Sequence, residues 1–158
     1  MKNKTILVVE DEPSLRIAYE TILKKHKYKV MSVPNGLEAY RTIKLRKPAV
    51  VILDLYMPVM DGITFLENFD TKDYPDTKVV VCTNLSGTEL DKKLEDLQVD
   101  DVVLKSMLTP NSLVGVVERA LSDKSDETRK TNKITDTVDT TGQKGTLKRS
   151  SIKHVHPK

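Results

Sequence analysis

The chain has no tryptophan and one cysteine, and aromatic residues make up only 4% of it, so its core must be mostly aliphatic. A single thiol excludes an internal disulfide framework. Cys82 lies in the apolar run Val79-Val80-Val81-Cys82, which argues for a reducing compartment. With no base near it in sequence, Cys82 reads as a packed strand residue rather than a nucleophile. Long apolar runs are also missing. A membrane-spanning helix needs about 20 consecutive apolar residues. The first run here, Ile6-Leu7-Val8-Val9, stops at Glu10-Asp11-Glu12, too soon even for the apolar region of a signal peptide. These absences predict a soluble, cytoplasmic protein with no membrane partner. The loop after that run has neither a glycine-rich phosphate cradle nor an activated cysteine, which sets aside a phosphatase or a flavin protein.

What is present suffices for one domain of ordinary size and an appendage: 38% of the 158 residues are hydrophobic. Charge divides the chain in the same way. Residues 1–121 carry 17 Lys and Arg against 18 Asp and Glu, a net −1, whereas residues 122–158 carry 9 against 5, a net +4. Lys144, Lys148, Arg149, Lys153 and Lys158 fall in a stretch without an acid. The second segment has scattered aliphatics, no usable period and too little apolar surface to offset ordering, so 122–158 reads as a basic, disordered tail. His154 and His156 within it read as solvent-exposed rather than as a metal pair. His26, in Lys24-Lys25-His26-Lys27, reads as a solvated helix end.

Within residues 1–121, apolar runs alternate with segments of helical period. Strands are expected at 5–9, 29–33, 49–53, 78–82 and 101–104. Pro13 opens a helix with Leu15, Ala18, Tyr19, Ile22 and Leu23 at helical spacing. Asn35-Gly36 leads into a helix with Leu37, Tyr40 and Ile43, and Asp61-Gly62 into one with Ile63, Leu66 and Phe69. Leu90, Leu94 and Leu97 form a fourth stripe. Thr109-Pro110 supplies an N-cap and first-turn proline for a helix with Leu113, Val114, Val117 and Leu121. Five βα units predict an α/β fold: a five-stranded parallel sheet, doubly wound and flavodoxin-like. With right-handed crossovers the common order is 2-1-3-4-5, whose switch point separates the first and third strands.

Those two strands both end in acids. Val51-Ile52-Leu53-Asp54 delivers a carboxylate to the strand mouth, and the first strand delivers Glu10, Asp11 and Glu12. Burying an ionised Asp is costly unless it is paired or bound to a cation. Two acid-ended strands at a switch point suggest a site for a hard divalent cation and a phosphate.

Taken together, Val9-Glu10-Asp11-Glu12, Asp54-Leu55-Tyr56-Met57-Pro58-Val59-Met60-Asp61-Gly62, Thr83 and Lys105 resemble the response-regulator receiver domain of the chemotaxis type over residues 4–121. Four elements at four strand ends make this a specific resemblance. It implies a two-component phosphoacceptor in which Asp54 takes a phosphoryl group from a histidine kinase or phosphotransfer protein. It further implies Mg²⁺ held by Glu10, Asp11, Asp54 and the main-chain carbonyl of Tyr56, with Glu10 acting directly or through water. The Lys105 ammonium would offset phosphoryl charge, and the Thr83 hydroxyl would donate to a phosphoryl oxygen. Phosphoryl transfer calls for charge neutralisation and in-line positioning above all.

Three positions depart from the family pattern. Ser106 follows Lys105 where the family has a cis proline; a non-proline cis bond costs about 3 kcal/mol, so a trans, reshaped loop is one outcome and a strained one the other. Val102 stands where the fifth strand commonly carries a switching aromatic, so the usual aromatic rotamer cannot signal. Tyr56 and Leu85, two residues beyond Asp54 and Thr83, are bulky and predict slow self-dephosphorylation. Asn84 offers an extra hydrogen bond beside the site.

The leading expectation is therefore a stand-alone receiver, not a metabolic enzyme, that switches binding to a downstream protein as a monomer or a phosphorylation-dependent dimer. A degenerate receiver serving as a constitutive scaffold is one alternative. Binding of nucleic acid or an acidic partner through the basic tail is the other, weakened by the tail's lack of aromatics for stacking.

Overall fold

A computed structural model describes residues 3–122. The expectations for His154, His156 and the tail from residue 123 onward lie outside the described residues. Among the described residues, eleven segments of regular structure follow one another: β1 (Thr5–Val9), α1 (Pro13–Lys25), β2 (Lys29–Val33), α2 (Gly36–Arg46), β3 (Val50–Asp54), α3 (Gly62–Glu67), β4 (Lys78–Thr83), α4 (Thr88–Asp96), β5 (Asp101–Leu104), a 3₁₀ turn (Lys105–Met107) and α5 (Pro110–Leu121).

The sheet is parallel throughout and ordered β2-β1-β3-β4-β5, as expected. Successive side chains point to opposite faces of a strand, and the central strands fill two cores. Leu7, Val9, Val51, Leu53, Val79 and Val81 pack beneath α2, α3 and α4 with Ile43, Phe65 and Leu94. Ile6, Val8, Val50, Ile52, Val80 and Cys82 face α1 and α5 with Leu23, Leu113 and Val117. Covering both faces explains why the strand sequences run apolar without alternation.

Helix starts follow the local chemistry. Asn35 and Asp61 accept from the backbone N–H groups of Glu38 and Thr64 at 2.9 and 2.7 Å. Thr109 and Ser112 form a reciprocal capping box ahead of α5. In α1 the cap is Glu12, whose carboxylate accepts from the N–H groups of Ser14 and Leu15. Those two bonds hold its carboxyl below the usual range. His26 is the exposed residue that closes α1, as read from sequence.

The strand ends shift by one residue from expectation. β3 runs through Asp54 and β4 through Thr83, because pairing continues to Asp54↔Cys82 and Thr83↔Leu104. Both polar residues are thus the last members of their ladders. Cys82 is 1% exposed and packed, in line with its reading.

Candidate functional site

At the C-terminal edge of the sheet, β1 runs into Glu10 and Asp11, β3 ends on Asp54, β4 ends on Thr83, and Lys105 follows β5. Parallel pairing brings all five to one edge of the sheet. A cleft of about 280 Å³ opens there, lined by Asp54, Tyr56, Thr83, Asn84, Leu85 and Lys105.

Glu10 and Asp54 are 2% and 4% exposed. Carboxylates so buried require a positive partner, and Lys105 supplies it. Its ammonium donates to Asp54 Oδ2 at 2.7 Å and lies 2.6 Å from Glu10 Oε2. Burial works against the Lys105 charge, but the bonds to Asp54 and Glu10 outweigh it and hold the ammonium above the ordinary lysine value. Burial pushes the Glu10 carboxyl up, against the pull of Lys105.

The carboxylates of Glu10, Asp11 and Asp54 can place one oxygen each within 4.8 Å of one another. One ammonium against three carboxylates leaves excess negative charge and only oxygen donors. That donor set suits a hard octahedral cation such as Mg²⁺ and fits no soft metal. The position Lys105 takes between two of the carboxylates marks where this site already accepts positive charge.

Backbone geometry fixes these side chains. The Tyr56 N–H donates to Asp54 Oδ1 at 3.2 Å, closing a turn over the carboxylate, while the Tyr56 side chain is 75% exposed at the cleft mouth. The Leu85 N–H donates to Thr83 Oγ1 at 3.1 Å, which leaves the hydroxyl proton available to an acceptor in the cleft. Leu85 is 46% exposed beside it. Lys105 and Ser106 sit in the 3₁₀ turn, and no cis peptide bond occurs among the described residues. The trans loop therefore carries Lys105 to both carboxylates with serine in place of proline. Val102 lies on β5, 42% exposed.

Three contacts went unread in the sequence, two of them made by residues of the quoted motifs, Gly62 and Glu12. Arg16, one turn into α1, donates through Nη1 to the carbonyls of Glu10 at 2.7 Å and Asp11 at 3.2 Å, pinning the acidic loop. Gly62 gives its N–H to the Leu55 carbonyl at 3.0 Å and sits so close that a Cβ would fall 2.4 Å from the Asp54 carbonyl oxygen. Glu12 caps α1 instead of joining the site. Glu12 was foreseeable, since the residue before a first-turn proline is a capping position; Arg16 left no signal, being one of several cations in the helical segments, and is half-buried.

Among the described residues, no helix is long and apolar enough to cross a membrane. Residues 6–118 match the family model of the response regulator receiver domain. The sporulation initiation phosphotransferase F of Bacillus subtilis is 29% identical over 97 residues, covering 61% of this chain and 77% of that protein. The chemotaxis protein CheY of Listeria monocytogenes is 37% identical over 79 residues, covering 49% of this chain and 66% of that protein. Other relatives are longer: the matched residues span 43% of a probable transcriptional regulator of Porphyridium aerugineum and 45% of a probable C4-dicarboxylate response regulator of Priestia megaterium. A crystal structure of a LuxR-family DNA-binding response regulator from Staphylococcus aureus superposes with a TM-score of 0.68 at 29% identity, covering 75% of this chain and 99% of that one. Sheet order, acid-lined strand mouths and the match over residues 6–118 converge: the chain belongs to the response regulator receiver domain family.

Proposed function

We propose that the chain is a phosphoacceptor of a two-component system, receiving a phosphoryl group on Asp54 from a sensor histidine kinase or a phosphotransfer protein and changing its binding to a downstream protein. The observation that carries this reading is the buried Asp54 carboxylate, ion-paired to Lys105 and flanked by Glu10 and Asp11 at the mouth of a cleft. A carboxylate oxygen attacks phosphorus, the oxygen–phosphorus bond forms, and the phosphorus–nitrogen bond of the donor phosphohistidine breaks. The departing electron pair stays on the imidazole nitrogen.

Each residue has a role consistent with its setting. Lys105 moves from carboxylate partner to phosphoryl partner, a change of anion that keeps its ammonium paired. Thr83 donates its hydroxyl proton to a phosphoryl oxygen. Glu10, Asp11, Asp54 and the Tyr56 main-chain carbonyl would hold Mg²⁺, with Glu10, already engaged by Lys105, acting directly or through water. When bound, that ion neutralises charge on the transferring group. Tyr56 and Leu85 flank the cleft with apolar bulk, which limits water and prolongs the phosphoryl state.

Mass spectrometry of wild type and Asp54→Ala after incubation with acetyl phosphate tests the reading, with and without Mg²⁺. One added phosphoryl in wild type alone, and only with metal, is the expected result. A folded wild type that gains nothing from acetyl phosphate or from a kinase would instead mark a constitutive scaffold.

A further inference from the structure

The edge of the sheet opposite the aspartate site has a division of charge that the receiver chemistry does not use. Residues 21–47 hold eight Lys and Arg against one acid, whereas residues 67–101 hold ten acids against four Lys and Arg. The fold gathers much of this charge onto the N-terminal rim of the strands. The Lys29 N–H donates to the Lys4 carbonyl at 3.1 Å and the Ala49 N–H to the Thr5 carbonyl at 2.8 Å. These bonds set Lys4, Lys29 and the Lys47 turn side by side beneath β2, β1 and β3. Lys25, at the end of α1, and Arg46, at the end of α2, flank them, all exposed.

At the other end of the rim, Thr71 Oγ1 reaches Gln98 Oε1 at 3.5 Å, joining the α3–β4 and α4–β5 connections. Asp70, Asp73, Glu95 and Asp96 in and beside those connections are exposed. On this side Lys78 pairs with Asp100 at 3.4 Å, Arg119 with Asp101 at 3.4 Å and Lys93 with Glu67 at 3.0 Å, which leaves Asp70, Asp73, Glu95 and Asp96 without an ion pair among the described residues.

All five helices point their C-terminal ends to this rim, where cations are favoured, and the last turns of α1, α2, α4 and α5 carry Lys or Arg. Dipole compensation therefore explains part of the basic half, but not the exposed acids Asp70, Asp73, Glu95 and Asp96 at and beyond the ends of α3 and α4.

We propose that this rim is a self-complementary interface through which two copies of the chain form a closed, two-fold symmetric dimer. A rim that is basic beneath β2, β1 and β3 and acidic beside β4 and β5 matches itself after a half-turn about the boundary between the two parts. The axis runs between β3 and β4 and sets the β1 and β3 side of one copy against the β4 and β5 side of the other. Both aspartate clefts then face outward, free to meet a phosphodonor. Exposed ion pairs are individually weak and screened by salt, so the dimer is a low-salt, concentration-dependent one, formed with or without phosphorylation.

A charge-swap experiment on the full chain tests this. Lys25→Glu/Arg46→Glu makes both halves acidic, and Asp73→Lys/Glu95→Lys makes both basic; none of the four side chains takes part in an ion pair among the described residues. By sedimentation at low ionic strength, wild type should approach twice its 17.8 kDa mass and return to monomer at high salt. Each variant alone should be monomeric, and an equimolar mixture should dimerise. Circular dichroism melts establish that both variants are folded. A wild type that stays monomeric at every salt concentration overturns the proposal, as does a dimer that either variant forms alone. Wild type that is monomeric but retained on a heparin column, with retention lost in Lys25→Glu/Arg46→Glu, would assign the basic half to a polyanion instead.

Discussion

The Lys105 ammonium stands 2.7 Å from Asp54 Oδ2 and 2.6 Å from Glu10 Oε2, so the same carboxylates that would hold a metal are already held by a protein cation. Lysine and metal therefore compete for oxygen. Replacing Lys105 by Met leaves two buried carboxylates facing each other, a loss of about 3 kcal/mol for a broken buried pair. The same change frees both carboxylates for a divalent ion. We expect Lys105→Met to melt lower than wild type in EDTA, to bind Mg²⁺ about tenfold more tightly, a gain of about 1.4 kcal/mol, and to recover much of its stability with metal. Calorimetric Mg²⁺ titration and paired thermal melts check this; unchanged or weaker metal binding would refute the competition.

Gly62 and Gly115 make a contrasting pair. A Cβ on Gly62 would fall 2.4 Å from the Asp54 carbonyl oxygen and 2.7 Å from Leu55 Cα, both backbone atoms that cannot swing away. Overpacking of this kind costs about 1–3 kcal/mol, and here it displaces the strand end that carries Asp54. Gly62→Ala is expected to lower stability by that amount and to slow Asp54 phosphorylation. At Gly115, inside α5, the nearest atom is the end of the Arg119 side chain at 3.8 Å. Gly115→Ala is expected to stabilise by about 0.5–1 kcal/mol through helix propensity. Denaturant melts of both variants decide the matter, and equal effects would mean that the close approach at Gly62 is relaxed in solution.

Element order, sheet order and the gathering of acids at one edge were all legible, because alternation of apolar runs with helical stripes leaves few topologies open. Side-chain detail was less so. In α2 the reading picked Leu37, Tyr40 and Ile43, but the structure buries Ala39 and Ile43, since small residues contribute little to an apolar stripe. In α3, only six residues long, Phe65 went unread although it is fully buried; one and a half turns are too few to define a face. Asp54 and Thr83 were placed just past their strands because polar residues look like strand ends, whereas backbone pairing ignores side-chain polarity. Reach is likewise invisible in sequence: nothing there states that Lys105 spans both Glu10 and Asp54.

Cys82 links burial to alkaline stability. Burial pushes its thiol from 9.0 up to about 12. The folded chain therefore keeps a proton that the unfolded chain releases as pH rises past 9. A group with a raised folded value stabilises fully below its unfolded value and loses that contribution as pH climbs through the folded one. Wild type should thus lose stability from about pH 9 upward, by at most about 1.4 kcal/mol per pH unit from this group. Cys82→Val, similar in volume and without a proton to lose, should lose less over the same range. Urea melts at pH 8, 9 and 10 measure the difference, and parallel curves for the two proteins would contradict it. Native Cys82 should also resist a thiol reagent at pH 8 that labels it at once in denaturant.

Tyr56 and Leu85 stand on either side of the cleft, each two residues beyond a strand-end polar group, with 75% and 46% of their surfaces exposed. Neither side chain is placed as a carboxamide or carboxylate to orient a water for in-line attack on a phosphoryl group at Asp54. Positioning of the attacking water is a principal lever on such hydrolysis. The phosphorylated wild type is therefore expected to lose its phosphoryl group slowly. Tyr56→Asn, which supplies both a donor and an acceptor at the cleft mouth, should shorten the half-life severalfold, and Leu85→Glu should act from the other wall. Tyr56→Phe keeps the bulk without adding polarity and should leave the half-life close to that of wild type. Following loss of the added phosphoryl mass after removal of the donor reads all three. A half-life that Tyr56→Asn leaves unchanged while Tyr56→Phe shortens it would assign the protection to the tyrosine hydroxyl and defeat the steric account.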